Sequence, residues 1–86
     1  MANKLHDRCV KLIRLGIETV KLANENTIEK RYEQTKQEIV FSNSLHLIDF
    51  DSMIILMMEL RNAKLTREEQ IQAYKSDLND IIDPRD

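Results

Sequence analysis

Apolar positions recur along this chain at three- and four-residue spacing, the signature of helices that bury one side. From about Asn3 to Asn24 the residues Leu5, Cys9, Leu12, Ile13, Gly16, Ile17, Val20 and Ala23 share a broad arc at 100° per residue. That predicts a first helix with this arc against the core. Gly16 lies inside the arc. A glycine within a helix costs about 1 kcal/mol relative to alanine, so its presence there predicts close approach of a second helix.

The polar stretch Asn24-Glu25-Asn26-Thr27 ends the first helix, and Asn26 followed by Glu29 reads as a capping box opening a second. Ile28, Tyr32, Thr35 and Ile39 then follow at 4-3-4 spacing, a narrow seam for one neighbouring helix, with the helix reaching Ile39 or Phe41. Phe41-Ser42-Asn43-Ser44 reads first as a turn, then as a continuation of the helix, and last as half of a short hairpin. Asp49 or Asp51 can cap a third helix from Ser52 to about Ala63. Its centre, Met53-Ile54-Ile55-Leu56-Met57-Met58, is apolar around the whole circumference. A helix apolar on all sides is normally covered on all sides. A chain of 86 residues has few elements with which to do so, which predicts a homo-oligomer with Met53, Ile54, Met57 and Met58 at the interface. Thr66-Arg67-Glu68-Glu69 is a second capping-box pattern and predicts a fourth helix carrying Ile71, Tyr74, Leu78 and Ile81 or Ile82 on one stripe, closed by Asp83-Pro84.

Composition agrees with the periodicity. One Gly and one Pro in 86 residues leave little for the tight turns of a β-rich fold. The expected class is all-α, a single domain over residues 1–86 built as a small antiparallel bundle of three to four helices that self-associates. Isoleucine, lysine and asparagine are frequent, a usage that suits an AT-rich bacterial or phage genome.

The net charge of −2 is unevenly spread. Residues 1–23 carry Lys4, Arg8, Lys11, Arg14 and Lys21 against Asp7 and Glu18, whereas residues 66–86 carry three cations against six carboxylates. A sequence pI near 5.7 disfavours a general nucleic-acid binder. A single cysteine, Cys9, cannot close an internal disulfide and fits a reducing compartment. Charges interrupt the N-terminal segment, and the apolar run at Met53–Met58 is far too short to span a bilayer. A cytoplasmic protein is expected.

Candidate chemistry is sparse. His6 and Cys9 at i,i+3 supply half of a zinc site, but a helical cysteine on an apolar arc is normally core. His46 with Asp49 and Asp51 offers oxygen and nitrogen donors, but carboxylates just ahead of a helix normally cap it. Phosphate loops, nucleophile elbows, His-Glu-x-x-His and paired Cys-x-x-Cys are absent from the sequence. No catalytic residue, metal or cofactor is expected.

The first helix offers more. Lys4, Arg8 and Lys11 share a sector with Leu15 and Leu22, outside the arc assigned to the core. Leucines at i,i+7 flanked by cations are the pattern of a docking strip, so Lys4, Arg8, Lys11, Leu15 and Leu22 are the expected partner-binding residues. The functional expectation is a small non-enzymatic protein–protein interaction module: a regulator, inhibitor or adaptor of the kind phages and mobile elements encode. The alternative is an oligomeric binder that sequesters an anionic small ligand such as a nucleotide between Arg8, Lys11 and Arg14 of two chains. A DNA-binding regulator ranks third, because the last predicted helix is acidic.

Overall fold

The computed structural model describes residues 3–82. They form three helices, α1 (Asn3–Lys21), α2 (Ile28–Ser44) and α3 (Phe50–Ile82), with no strand among the described residues. α1 and α2 run antiparallel, and α3 returns parallel to α1. Every pair of helices is in contact. At about 1.5 Å per residue α3 is roughly 50 Å long and overhangs the bundle, and the molecule measures 66 × 16 × 16 Å.

The core is the inner face of each helix. Ile13, Ile17 and Val20 of α1 meet Ile28, Thr35 and Ile39 of α2 and Leu56, Leu60 and Ala63 of α3, all buried. The α2 seam is the one its 4-3-4 spacing predicts, with Tyr32 half-buried between Thr35 and Ile28. Gly16 is the point of closest approach. A Cβ there would lie 2.9 Å from Thr35 Oγ1 and 3.2 Å from Thr35 Cγ2, so the missing side chain is what lets α2 sit so near.

The two connections are built from side chain–backbone hydrogen bonds. Asn24 Oδ1 accepts from the Asn26 and Thr27 N–H groups at 2.9 and 3.0 Å, while Thr27 Oγ1 accepts from the Asn24 N–H at 3.1 Å. This reciprocal pair replaces the expected Asn26–Glu29 box, since Thr27 occupies the N-cap position. The Glu29 carboxylate is instead drawn across to Lys64 of α3, at 2.5 Å. That pair holds the Lys64 ammonium above the ordinary lysine range, with desolvation opposing, and places it 4.6 Å above the Tyr32 ring.

α2 runs through Phe41-Ser42-Asn43-Ser44, where a turn is the first expectation from sequence. Each of these residues tolerates helix, and the Ser44 hydroxyl donates back to the Val40 and Phe41 carbonyls. The stop comes at His46, whose φ of 60° is left-handed. The His46 N–H donates to Asn43 O and the Leu47 N–H to Ser42 O, a Schellman closure with histidine where glycine is usual. Asn43 Nδ2 then donates to Ile48 O at 3.1 Å, seating the buried Ile48 as a plug. Asp49 caps α3 as expected, accepting from the Ser52 N–H at 2.8 Å.

The separate fourth helix is corrected. α3 is continuous through Thr66-Arg67-Glu68-Glu69. A capping box needs a chain that has left helical geometry, and nothing in Arg61–Leu65 breaks it. Arg67 instead ties α3 to the end of α1, its Nε–H donating to Ala23 O at 2.7 Å. Lys75 pairs with Glu25 about two turns further on. Of the stripe expected beyond it, Ile71 packs against the core and Leu78 is half-buried, whereas Tyr74 is exposed. The side chains of Ile81 and Ile82 and the Asp83-Pro84 stop lie outside the described residues.

Candidate functional site

α1 carries two apolar faces. The inner face holds Cys9, Ile13, Gly16, Ile17, Val20 and, just past the helix, Ala23. Leu5 and Leu12, expected in that arc, are 55% and 61% exposed. The arc is wider than two neighbouring helices can cover: α2 takes the Gly16 side and α3 the Ile17 side, and the sector beyond is left open. Leu15 and Leu22 occupy that same sector, at 59% and 79% exposure. Leu5, Leu12, Leu15 and Leu22 therefore form one uncovered strip, within about 100° of arc on a 3.6-residue helix.

The cations expected beside it are there. Lys4, Arg8 and Lys11 are all exposed, and with Leu5 and Asp7 they line a surface depression of about 650 Å³. Among the described residues, none of these three makes an ion pair. Arg14 differs. Its Nε and Nη2 donate to the two carboxylate oxygens of Glu59 at 3.1 and 2.9 Å, a bidentate fork across the α1–α3 groove. Of the anion-gripping set Arg8, Lys11 and Arg14, one member is already engaged within the chain.

A second uncovered strip lies on α3. Met53 and Met57, expected at an oligomer interface, turn inward and pack against the core. Ile54 and Met58 of the same expected set point outward at 41% and 60% exposure, alongside Phe50, Ile55 and Leu65. The apolar run is thus half core and half surface within one chain. This strip lacks the flanking lysines of α1 and carries the exposed Arg61 within it.

The metal-ligand candidates are otherwise occupied. His6 Nε2 lies 3.2 Å from Ser52 Oγ on α3, while Cys9 is half-buried against the core. The Asp49 carboxylate serves the α3 cap, and His46 closes α2. Among the described residues no three His, Cys, Asp or Glu side chains are grouped to hold a metal ion, and no helix is long and apolar enough to cross a membrane.

No protein-family model, curated protein or solved structure matches the chain. Fold and site together define it as an all-α three-helix bundle with an uncovered leucine strip on its first helix.

Proposed function

We propose that the chain is a small non-enzymatic protein–protein interaction module, a regulator, inhibitor or adaptor, whose working surface is the strip Leu5, Leu12, Leu15 and Leu22 with Lys4, Arg8 and Lys11. The observation that carries this reading is the exposure of all four leucines, from 55% to 79%, on a helix whose opposite face is already fully used. Full burial of a leucine is worth about 1.5–3 kcal/mol relative to exposure. At these exposures the strip holds back roughly 4–8 kcal/mol of gross burial energy, which a docked surface would release less its ordering costs. The flanking cations add on-rate and orientation toward an acidic surface. The anionic-ligand alternative is the weaker reading, because the Arg14–Glu59 fork leaves it Arg8 and Lys11 alone.

The test is a photo-cross-linking amino acid placed at Leu15 or Leu22, with Gln72, exposed on α3, as the control position. Protein adducts formed from the leucine positions well above the Gln72 level, whether to another protein or to a second copy, are the expected result. Equal, background labelling at all three positions would overturn the proposal.

A further inference from the structure

The spacing of the exposed leucines says what fits on them. Leu5, Leu12, Leu15 and Leu22 are seven, three and seven residues apart, an order that reads the same from either end. Turned end for end, a second α1 sets leucine against leucine at every step: Leu5 against Leu22, and Leu12 against Leu15. The two intervening strip positions, Arg8 and Thr19, then meet each other. We propose that the strip, on the interaction reading above, is the seam of a homodimer in which α1 packs antiparallel against α1 of a second copy.

Charge chooses the same arrangement. Lys4, Lys11 and Glu18 recur every seven residues along one edge of the strip, and all three are exposed. In an antiparallel pair the same edge of both helices lies on the same side of the seam, so Lys11 of each copy comes within about 3 Å along the axis of the level of Glu18 of the other. A parallel pair instead stacks Arg8 on Arg8 at the seam and sets the Lys4–Lys11 edge against the Cys9–Gly16 edge of the other copy, which offers no carboxylate. The other edge of the strip is Cys9, Gly16 and Ala23, small residues on the core side, with Gly16 against Thr35 of α2.

The second helix supports the geometry independently. With α1 paired, α2 of one copy runs beside α2 of the other, and the bundle acquires a four-helix layer. The flank of α2 that would face this neighbour, on the α1 side and away from α3, carries Phe41 and Leu45, which are 56% and 54% exposed. In the dimer this flank extends the seam from α1 onto α2, toward the end where the antiparallel crossing of Gly16 on Thr35 places Leu5 and Leu12.

The test uses full-length chains in which Cys9→Ala removes the native thiol. One carries Leu5→Cys, the other Leu22→Cys, and the two are mixed in a glutathione redox buffer so that disulfides equilibrate. The antiparallel seam predicts that the mixed 5–22 disulfide dominates and that both homodisulfides are minor. It also predicts that Leu12→Glu with Leu15→Glu abolishes the preference while far-UV circular dichroism stays helical. Dominant 5–5 and 22–22 products would overturn the antiparallel register. Yields no higher than those of a control with Gln72→Cys, exposed on α3 away from the seam, would overturn self-pairing altogether. In that event, photo-adducts to other proteins from Leu15 would keep the interaction reading alive, and their absence would end both.

Discussion

Replacing Gly16 with alanine should destabilise this protein, although the same change in a solvent-facing helix stabilises it. An alanine in place of glycine favours a helix by about 1 kcal/mol. Here the new methyl would sit 2.9 Å from Thr35 Oγ1 and 3.2 Å from Thr35 Cγ2, where carbon contacts prefer roughly 3.5–4.0 Å. Thr35 is 3% exposed and cannot swing aside into solvent. Its branched side chain is also stiff about χ1. α1 and α2 must therefore part by a few tenths of an ångström, and overpacking of this kind costs about 1–3 kcal/mol. The net expectation for Gly16→Ala is a loss of up to about 2 kcal/mol, on the order of 4–8 °C in Tm per kcal/mol for a domain of this size. Thr35→Ala removes both clashing atoms. In that background Gly16→Ala should become stabilising by up to about 1 kcal/mol, leaving a coupling energy of roughly 1–3 kcal/mol between the two sites. Urea denaturation followed by far-UV circular dichroism, at one fixed protein concentration because association shifts apparent stability, reads all four corners of the cycle. Stabilisation by Gly16→Ala in the wild-type background, with no coupling to Thr35, would refute the close approach of α2.

Three further outcomes follow from the connections and from α3. Arg67→Pro should cost about 3 kcal/mol or more beyond Arg67→Ala in thermal denaturation, because it breaks a helix interior; proline tolerated there would mean that a new helix starts at Thr66. His46→Gly should stabilise by about 1 kcal/mol, since glycine takes left-handed geometry without the Cβ penalty, and a loss would show that the imidazole makes an interaction worth more than the strain. The Ser52 hydroxyl, and then the Ser52 backbone N–H, hold the Asp49 carboxyl below the usual carboxylate range. Its folded-state pKa is the lower one, so its contribution is complete at neutral pH, begins to fade near pH 4 and is lost as pH drops through the folded value. Urea midpoints of wild type and Asp49→Ala measured from pH 6 to pH 2.5 should therefore converge toward the acid end; parallel curves would contradict the cap.

Much of this arrangement is legible along the chain. The α2 seam at Ile28, Tyr32, Thr35 and Ile39 and the tight crossing at Gly16 follow from spacing alone, because a narrow apolar stripe admits one way to be buried. The α1 arc does not resolve, since periodicity reports which residues share a sector but not how much of it two neighbours can cover. Leu5 and Leu12 therefore read as core in the sequence, while Leu15 and Leu22, together with the cations, mark the open strip correctly. The Thr66–Glu69 box misleads because a capping pattern is local. Whether it acts depends on a break upstream, and Arg61–Leu65 contains none. The Schellman closure at His46 carries no signal, as histidine is not the residue that normally takes left-handed geometry. The end-for-end spacing of the four leucines is present in the sequence throughout. It acquires meaning only with their common exposure.

The most direct check of the leucine strip as a self-pairing seam is the absolute molar mass in solution, by light scattering over a dilution series, of the wild type and of the Leu12→Glu, Leu15→Glu variant. The paired seam predicts twice the chain mass of 10.2 kDa for the wild type, falling to the chain mass for a variant that remains helical. A wild type that stays at the chain mass at every concentration, or a doubled mass that the variant retains, would contradict it.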